Sequence, residues 1–356
     1  MSQPYNIAFY VHHHGSGHIM RTLAIAKSLS DTSITLIGSN LGSYTQIIPE
    51  DYSIITLPMD TPEKADLYFS DRKPNGIHYS PLNIEGQRKR VEVMTRFFVS
   101  AFPLLLVVDV SAEAAMLASL CGIPYIAVKQ HGKRDDLPHL HAYGNASGIL
   151  APYPEIMKSN DPDWVLEKTF HAGGIARFEP QKDHCDREGK KVAVIIGKGG
   201  TSLTAQVIAH LAEQCPQWHF QVLGETGTMV SNYPNISFMG NLSKPGLIME
   251  NCNIIIGNAG HNTVMEVAAL GKRFIVVPEE RPFDEQVEKA RILAALNLAS
   301  IVHPEELFEV RWNTLLENIL AQEPDWTGIV SDTATAKAAD YLKKIYDNNF
   351  SRSTTF

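Results

Sequence analysis

The chain has 356 residues, with 31 lysines and arginines against 39 aspartates and glutamates, and a formal net charge of −8 at pH 7. This length predicts two domains of ordinary size, and the acidic balance argues against a nucleic acid partner. Four scattered cysteines and the lack of an apolar run near the ~20 residues that span a bilayer predict a cytoplasmic protein, with contact at the inner face of a membrane left open.

The first predicted unit is a strand, a glycine-rich turn and a helix. Residues 7–11 are apolar, HHHGSGH follows, and apolar positions then recur at three- and four-residue steps. This pattern predicts an amphipathic helix that begins at or just after His18, with Arg21 and Lys27 facing solvent. Met20 occupies the place of the third glycine of a dinucleotide-binding fingerprint, which argues against that cofactor. Adjacent histidines in a strand face opposite ways, so we predict no metal site here.

Two further strands are predicted between residues 34 and 57, and a long polar stretch then covers residues 58–90. Such long connections are usually functional or disordered, and we assign this one to acceptor binding. Its basic residues, among them Arg88, Lys89 and Arg90, suit an anionic acceptor or an acidic membrane surface. A solvated helix start at residues 87–90 is the alternative, and the sequence does not decide between them.

Residues 103–109 form a strongly apolar predicted strand that ends at Asp109, and a helix and a strand at residues 125–128 follow. Ligands of open parallel sheets bind outside the carboxyl ends of the strands. We therefore expect Asp109 and His18 to face one cleft. The alternative for Asp109 is an ordinary helix cap.

A polar linker near residues 178–191 predicts the domain boundary. The first domain is then residues 1–178 and the second residues 191–331, while a last helix at 332–346 returns to the first domain. A strand at 192–196 leads to a turn with Gly199, Gly200 and Thr201 before a helix, which suits a diphosphate. Lysine precedes the glycine pair, so this is not an ATP-binding loop. We treat Asp161-Pro162-Asp163 as a chance match to a metal-binding motif.

The stretch from residue 252 to 286 combines features of a nucleotide site. A buried strand at 254–256 ends in a glycine turn, and we predict a helix through Ala269 that is capped by Asn262 or Thr263, with Gly271 as the left-handed residue at its C-terminal end. Free backbone N–H groups at such a turn hold phosphate, and Glu266 is placed to accept hydrogen bonds from ribose hydroxyls. A polar loop after the next strand then offers side chains suited to sugar hydroxyls: Asp284, Glu285 and Gln286.

The order of residues in this stretch resembles the donor-binding signature of GT-B glycosyltransferases. It is similar to the families of the peptidoglycan N-acetylglucosaminyltransferase and of the plant secondary-product glycosyltransferases. The residues that carry the resemblance are Gly260, His261, Asn262, Thr263, Glu266, Gly271, Pro278, Glu285 and Gln286. The N-terminal GSGHIMR resembles these families too, and also the nucleotide-sugar hydrolases of the pseudaminic acid pathway. The resemblance implies an α/β protein with two Rossmann-like domains facing across a cleft.

The resemblance also implies roles for residues outside that stretch. It makes His18, beside Gly17, the general base and Asp109 the residue that orients it. It implies that the turn at Gly199, Gly200 and Thr201 lies near the donor, with Phe238 or Met239 beside the base of the nucleotide. Arg177 matches an arginine near the donor phosphates. A packing or capping role for His18 and a surface position for Arg177 are the alternatives.

The predicted function is therefore metal-independent transfer of a sugar from a nucleotide-sugar donor, UDP-linked, to a small-molecule or lipid-linked acceptor such as a cell-envelope precursor. No cofactor is expected. Two alternatives stay open: a nucleotide-sugar hydrolase of the same fold, and a non-catalytic nucleotide-sugar binding protein. The long stretch at residues 58–90 favours a bulky acceptor and thus a transferase.

Overall fold

The computed structural model describes residues 5–13, 17–72, 74, 76–176, 189–197, 199–227, 233–242 and 244–351. Within them lie two separate sheets, one of seven strands and one of six, and all neighbouring strands in both are parallel. The predicted α/β class with two Rossmann-like domains is confirmed. Arg177 and most of the predicted linker, residues 178–188, fall outside the described residues.

The first sheet has the strand order β3-β2-β1-β4-β5-β6-β7. Its strands are β1 Tyr5–Tyr10, β2 Thr32–Gly38, β3 Ser53–Thr56, β4 Leu105–Asp109, β5 Tyr125–Val128, β6 Gly148–Ala151 and β7 Thr169–His171. The accompanying helices are α1 Gly17–Ala26, α2 Glu85–Ser100, α3 Ala112–Leu120, α4 Leu137–Asn145 and α5 Asp163–Lys168. Because the order reverses beside β1, the turns after β1 and β4 open a crevice at their carboxyl ends.

The second sheet repeats the same winding, with the order β10-β9-β8-β11-β12-β13. Its strands are β8 Lys191–Ile195, β9 His219–Leu223, β10 Ile236–Gly240, β11 Ile254–Gly257, β12 Arg273–Val276 and β13 Ser300–Ile301. Its helices are α6 Ala205–Gln214, α7 Gly246–Glu250, α8 His261–Ala269, α9 Glu285–Ala295 and α10 Trp312–Leu320, and the last helix, α11 Ala334–Phe350, packs against the first sheet instead. A 3₁₀ turn, Pro304–Glu306, precedes α10.

Each sheet has an apolar core on both faces. In β1, Ile7 and Phe9 point into one core while Ala8 and Tyr10 point into the other, as the alternation of strand side chains requires. The last helix, α11, packs against α1 in one core of the first sheet, where Ala338 is buried. The end of the chain thus lies against the sheet with which the chain begins.

The stretch from 58 to 90 is an irregular segment followed by the start of α2. Ser70 and Leu82 form an antiparallel bridge within it. Arg90 is buried at 5% exposure and donates hydrogen bonds to the Pro58 carbonyl (2.7 Å) and to the Tyr10 hydroxyl (2.6 Å). A role for Arg90 in docking an acceptor is therefore wrong, because its guanidinium holds the segment onto the sheet. Arg88 and Lys89 are exposed.

No helix in the described part of the chain combines the length and apolar character needed to cross a bilayer. Asp161, from the DPD sequence, is paired with Lys129 at 2.8 Å, and both side chains are buried. That aspartate stabilises the segment after β6, which agrees with its treatment as a chance motif.

Candidate functional site

The helix starts that follow β1 and β11 meet across a cleft between the two sheets. A β-carbon added at Gly17, the first residue of α1, would lie 3.6 Å from Nδ2 of Asn262 on α8. This is an ordinary van der Waals distance, so the start of α1 lies directly against the start of α8. The structure thus places the start of α1, with Gly17 and His18, beside the start of α8, with His261 and Asn262. The roles predicted for these residues stay predictions.

His18 and Asp109 are in contact on the side of the first sheet. His18 Nδ1 lies 2.9 Å from Asp109 Oδ2, and the two side chains are 14% and 4% exposed. Arg21, one turn further along α1, places Nη2 at 2.7 Å and 2.8 Å from the two Asp109 oxygens. The prediction that Arg21 faces solvent was wrong, since its side chain is buried against Asp109.

Asp109 is a buried but ionised carboxylate. Burial raises its pKa. The charges of Arg21 and His18 and their hydrogen bonds lower the pKa by more than burial raises it, so the pKa lies well below its usual range. Helix capping does not occupy Asp109, because Ser111 caps α3 by accepting from the Ala114 N–H at 3.2 Å. Val110 between them has a φ of 60°, a conformation rare for a β-branched residue and most often found at functional sites.

The start of α8 is open to an anion. Gly260 is the N-cap residue, and no side chain in the described chain caps the helix there. The predicted caps Asn262 and Thr263 were wrong, because the helix already begins at His261. Its first N–H groups thus have no side-chain cap among the described residues, and the helix dipole at this end favours negative charge.

Two polar atoms in this turn are buried and, among the described residues, lack a hydrogen-bond partner: Asn258 Nδ2 and His261 Nε2. Burial lowers the pKa of His261 well below 6.5, and the charges of Arg21 and Lys289 add to this, so its imidazole is neutral. Buried unsatisfied polar groups are rare in folded proteins. Their position beside an uncapped helix start points to a bound polar ligand.

Glu266 lies within α8, about one and a half helical turns beyond His261. Its side chain is 4% exposed. The predicted role at a ribose remains a prediction.

The turn after β8 is tied to the loops after β11 and β12. Arg281 Nη2 donates to the Gly200 carbonyl at 2.7 Å, and Thr201 Oγ1 donates to Asn258 Oδ1 at 3.2 Å. Glu279 accepts from the Ser202 hydroxyl at 2.9 Å. Sequence patterns did not identify Asn258, Glu279 or Arg281. The only available signal was their position just after strands that end in glycine or proline.

The loop before α9 carries the predicted sugar-binding residues. Asp284 has a φ of 54° and is exposed. Glu285 lies 3.2 Å from Lys289 Nζ; burial raises the pKa of Glu285, while the charges of Lys289 and Arg134 lower it further, so that it stays ionised. The side-chain oxygen of Gln286, Oε1, accepts from the Glu279 backbone N–H at 3.0 Å. Gln286 therefore shapes the loop, and only its amide nitrogen remains for a ligand.

Gln130, after β5, connects this loop to the pair on the first sheet. With its amide oxygen toward Arg21 Nη2 (3.2 Å) and its nitrogen toward Glu285 Oε2 (3.1 Å), it bridges the cleft. The Lys133 N–H also donates to the Phe283 carbonyl at 2.7 Å. The two sheets are therefore joined by direct contacts beside the site.

Phe283 packs against two histidines of the first sheet. Its ring centroid is 4.9 Å from that of His78 and 4.6 Å from that of His139. His139 Nδ1 lies 2.7 Å from Asp136 Oδ1, and its Nε2 lies 2.8 Å from Arg134 Nη1. Burial lowers the pKa of His139 to about 4.

This buried histidine predicts a loss of stability in acid. Because its folded-state pKa is depressed, the unfolded chain binds the proton first, and stability falls as the pH drops through 6.5. Between pH 7 and pH 5 the contribution is about 2 kcal/mol, from ~1.5 pH units at 1.36 kcal/mol each. We expect the difference in unfolding free energy between these pH values, measured in urea, to shrink by that amount in His139→Gln. The exposed His141 is the control: His141→Gln should retain the parent's pH dependence, and an unchanged value in His139→Gln would contradict the assignment.

His78, Asp136 and His139 are also the one described group close enough to share a metal ion, with one ligand atom of each within 4.8 Å of the others. Both ring nitrogens of His139 are already engaged, one of them by the Arg134 guanidinium. A cation so close opposes a metal ion. We therefore assign this group a role in joining the two sheets.

On β10, Phe238 is 46% exposed, whereas Met239 packs partly against the core beneath. Of the two residues predicted beside the nucleotide base, Phe238 thus offers the free ring. Its contact with a base remains a prediction.

Known glycosyltransferases resemble this chain, both in its second sheet and over most of its length. Residues 192–324 match the glycosyltransferase family 28 C-terminal domain. The chain is 22% identical over 329 residues to the UDP-N-acetylglucosamine–N-acetylmuramyl-(pentapeptide) pyrophosphoryl-undecaprenol N-acetylglucosamine transferase of Prochlorococcus marinus, covering 85% of this chain and 84% of the relative. It is 26% identical over 308 residues to the enzyme of that name from Pasteurella multocida, covering 82% of each.

Solved structures resemble the whole chain. Acinetobacter baumannii MurG matches with a TM-score of 0.65 at 16% identity, over 96% of this chain and 100% of the other. UGT2 of Phytolacca americana, solved with UDP-2-fluoro-glucose and pterostilbene, matches with a TM-score of 0.65 at 14% identity, over 98% and 94%. These likenesses confirm the GT-B fold.

Proposed function

We propose that this protein, a glycosyltransferase of the GT-B type with a family 28 C-terminal domain, transfers a sugar from a UDP-linked donor to a lipid-linked acceptor. The observation that carries the proposal is the pairing of two half-sites across the cleft. The His18–Asp109 pair lies on one side. On the other lies the start of α8, where buried atoms of Asn258 and His261 find no partner in the part of the chain that the structure describes.

The donor diphosphate binds at the start of α8. The helix N–H groups and Asn258 Nδ2 donate hydrogen bonds to its oxygens, and the helix dipole favours their charge. His261 Nε2, when it carries the ring proton, adds another donor. Glu266 accepts hydrogen bonds from the ribose hydroxyls, and Phe238 stacks on the nucleotide base. Glu285, an ionised carboxylate beside Lys289, accepts from a hydroxyl of the sugar.

His18 activates the acceptor. Its Nδ1–H donates to Asp109, so Nε2 holds the lone pair that takes the proton of the acceptor hydroxyl. The freed oxygen forms a bond with the anomeric carbon, while the bond from that carbon to the diphosphate oxygen breaks. Asp109 stabilises the imidazolium that forms, and the nucleoside diphosphate leaves with the extra negative charge held at the start of α8. None of these steps assigns a role to a metal ion.

The surface beside α2 supports a lipid-linked acceptor. Leu67 and Tyr68 are 84% and 82% exposed, and this segment adjoins the start of α2, where the Glu85 N–H donates to Asp66 at 2.9 Å. Arg88 and Lys89 lie on the first turns of the same helix, exposed, although Lys89 pairs with Glu85 at 2.7 Å. Apolar and basic side chains together suit the surface of an anionic membrane.

This surface makes a testable prediction. Arg88→Gln/Lys89→Gln is expected to weaken binding to phosphatidylglycerol vesicles by roughly 30-fold at low salt, since each basic residue contributes ~1 kcal/mol near an anionic surface. The effect should fade at higher salt, because exposed charges are screened over ~8–10 Å near physiological ionic strength. Vesicle sedimentation measures it, with Lys337→Gln/Lys344→Gln, at two exposed lysines of α11, as the matched control. Equal vesicle binding by parent and variant would exclude this surface.

A panel of nucleotide sugars tests the proposed donor. Purified protein is incubated with UDP-, dTDP- and GDP-linked sugars, and both slow release of the nucleoside diphosphate and the shift in melting temperature are measured. We expect UDP-linked sugars to give the largest response in both. A response confined to another nucleotide, or to none, would contradict the proposal.

A further inference from the structure

Arg21 touches both members of the pair that acts on the acceptor. Its Nη2 lies within 2.8 Å of both Asp109 oxygens and 3.3 Å from His18 Nδ1, and the side chain is 5% exposed. We propose that Arg21 is a positioning residue that holds the Asp109 carboxylate where it accepts from His18 Nδ1, and whose charge sets the pH range in which the reaction runs. The inference rests on the proposed function, which makes His18 the base.

The hydrogen-bond inventory fixes the tautomer. Arg21 can only donate, but an unprotonated Nδ1 that accepted from it at 3.3 Å would face the Asp109 carboxylate at 2.9 Å with no proton between the two acceptors. The Asp109 carboxylate accepts from both neighbours, and it is the acceptor that faces Nδ1 at 2.9 Å. Nδ1 therefore carries the proton and Nε2 is left unprotonated toward the cleft, which is the form a base requires.

The charges of the three side chains bear on the pH range in which the reaction runs. With neutral His18, the three side chains sum to zero, because Asp109 carries −1 and Arg21 carries +1. A carboxylate alone would make the imidazole a stronger base, whereas the adjacent guanidinium disfavours a second positive charge. Arg21 therefore offsets the Asp109 charge, which would otherwise favour a protonated ring.

Several charged or titratable groups face the trio from neighbouring elements. They are His12 after β1, His261 on α8, and Glu285 and Lys289 on α9, with Arg134 beyond Glu285. Glu285 and Lys289 pair with each other, and His261 is neutral. Arg21 is thus the cation in direct contact with the pair.

The test compares neutral and charged replacements. Arg21→Gln and Arg21→Met remove the charge, Arg21→Lys keeps it, and Lys27→Met replaces an exposed cation just past the end of α1 as control. Release of UDP from UDP-N-acetylglucosamine into water is followed from pH 5.5 to 9. We expect the acidic limb of the profile to move up by ~1 pH unit or more in the neutral variants. Activity then falls about tenfold at pH 6 and recovers by pH 8.5, while Arg21→Lys and Lys27→Met keep the parent's limb.

A second readout does not depend on turnover. The His18 ring is titrated by NMR in protein with labelled histidine, its signal being identified by its loss in His18→Gln. The midpoint should rise in Arg21→Gln and stay in place in Arg21→Lys. Unchanged midpoints and limbs in neutral variants that melt like the parent would overturn the inference, as would equal shifts in Arg21→Lys. If the parent releases no nucleoside diphosphate from any nucleotide sugar, the proposed function fails, and the NMR titration alone decides the part of Arg21.

Discussion

Replacing His18 with alanine is expected to lower turnover of the nucleotide sugar by ~10²–10⁴-fold, the usual contribution of a general base, while the dissociation constant of UDP stays the same. The reason is the division of labour across the cleft. His18 and Asp109 belong to the first sheet, whereas the turns assigned to the nucleotide follow strands of the second. Steady-state rates and calorimetry measure the two quantities separately.

The variant Asp109→Asn extends this test. It removes the charge that stabilises the imidazolium, so turnover should fall steeply here too. Because the pair acts as a unit, the double variant should be little worse than the poorer single one. His141→Ala, an exposed histidine on α4, serves as the control and should match the parent. Parallel losses of turnover and UDP affinity in His18→Ala would contradict the division.

Replacing Glu266 with alanine is expected to weaken UDP binding by roughly 10- to 150-fold, the equivalent of one charge-assisted hydrogen bond of ~1.5–3 kcal/mol. The side chain is 4% exposed in α8, so each hydrogen bond it makes is shielded from water. Calorimetric titration with UDP measures the loss. The control is Glu305→Ala, which replaces an exposed glutamate in the 3₁₀ turn before α10. This variant should bind UDP as the parent does.

A ligand lacking one ribose hydroxyl separates recognition from misfolding. The parent should bind 2′-deoxy-UDP more weakly than UDP, whereas Glu266→Ala should bind both nearly equally, since the partner of the hydroxyl is gone. Equal discrimination by parent and variant would place the ribose elsewhere.

The sequence predicted the elements whose pattern is local. The apolar runs of β4 and β11 are too short for helices and are bounded by turn residues, which identified them as buried strands. Gly271 was predicted to end α8, and its φ of 59° places it in the left-handed region that such an end requires. The approach of His18 to Asp109 also followed from topology, because both lie at carboxyl ends of parallel strands.

Features that depend on distant partners could not be predicted. Arg21 was placed in solvent because charged residues on an amphipathic helix usually are, but its carboxylate partner is 88 positions away. Arg90 was taken as part of a docking surface, although its hydroxyl partner on Tyr10 lies 80 positions away. The start of α8 was misplaced for a different reason. Cap preferences favour Asn262 and Thr263, but the N-cap residue is Gly260, which has no side chain to cap the helix.

The most direct test of the central claim is the rate of nucleoside diphosphate release from a UDP-sugar with and without acceptor. A transferase should release it slowly in water, below ~1 s⁻¹, and faster with at least one member of a panel of lipid-diphosphate-linked and small saccharide acceptors, with the sugar recovered on that acceptor. Release at ~1 s⁻¹ or above in water alone, unchanged by every acceptor, would contradict the account and identify a nucleotide-sugar hydrolase.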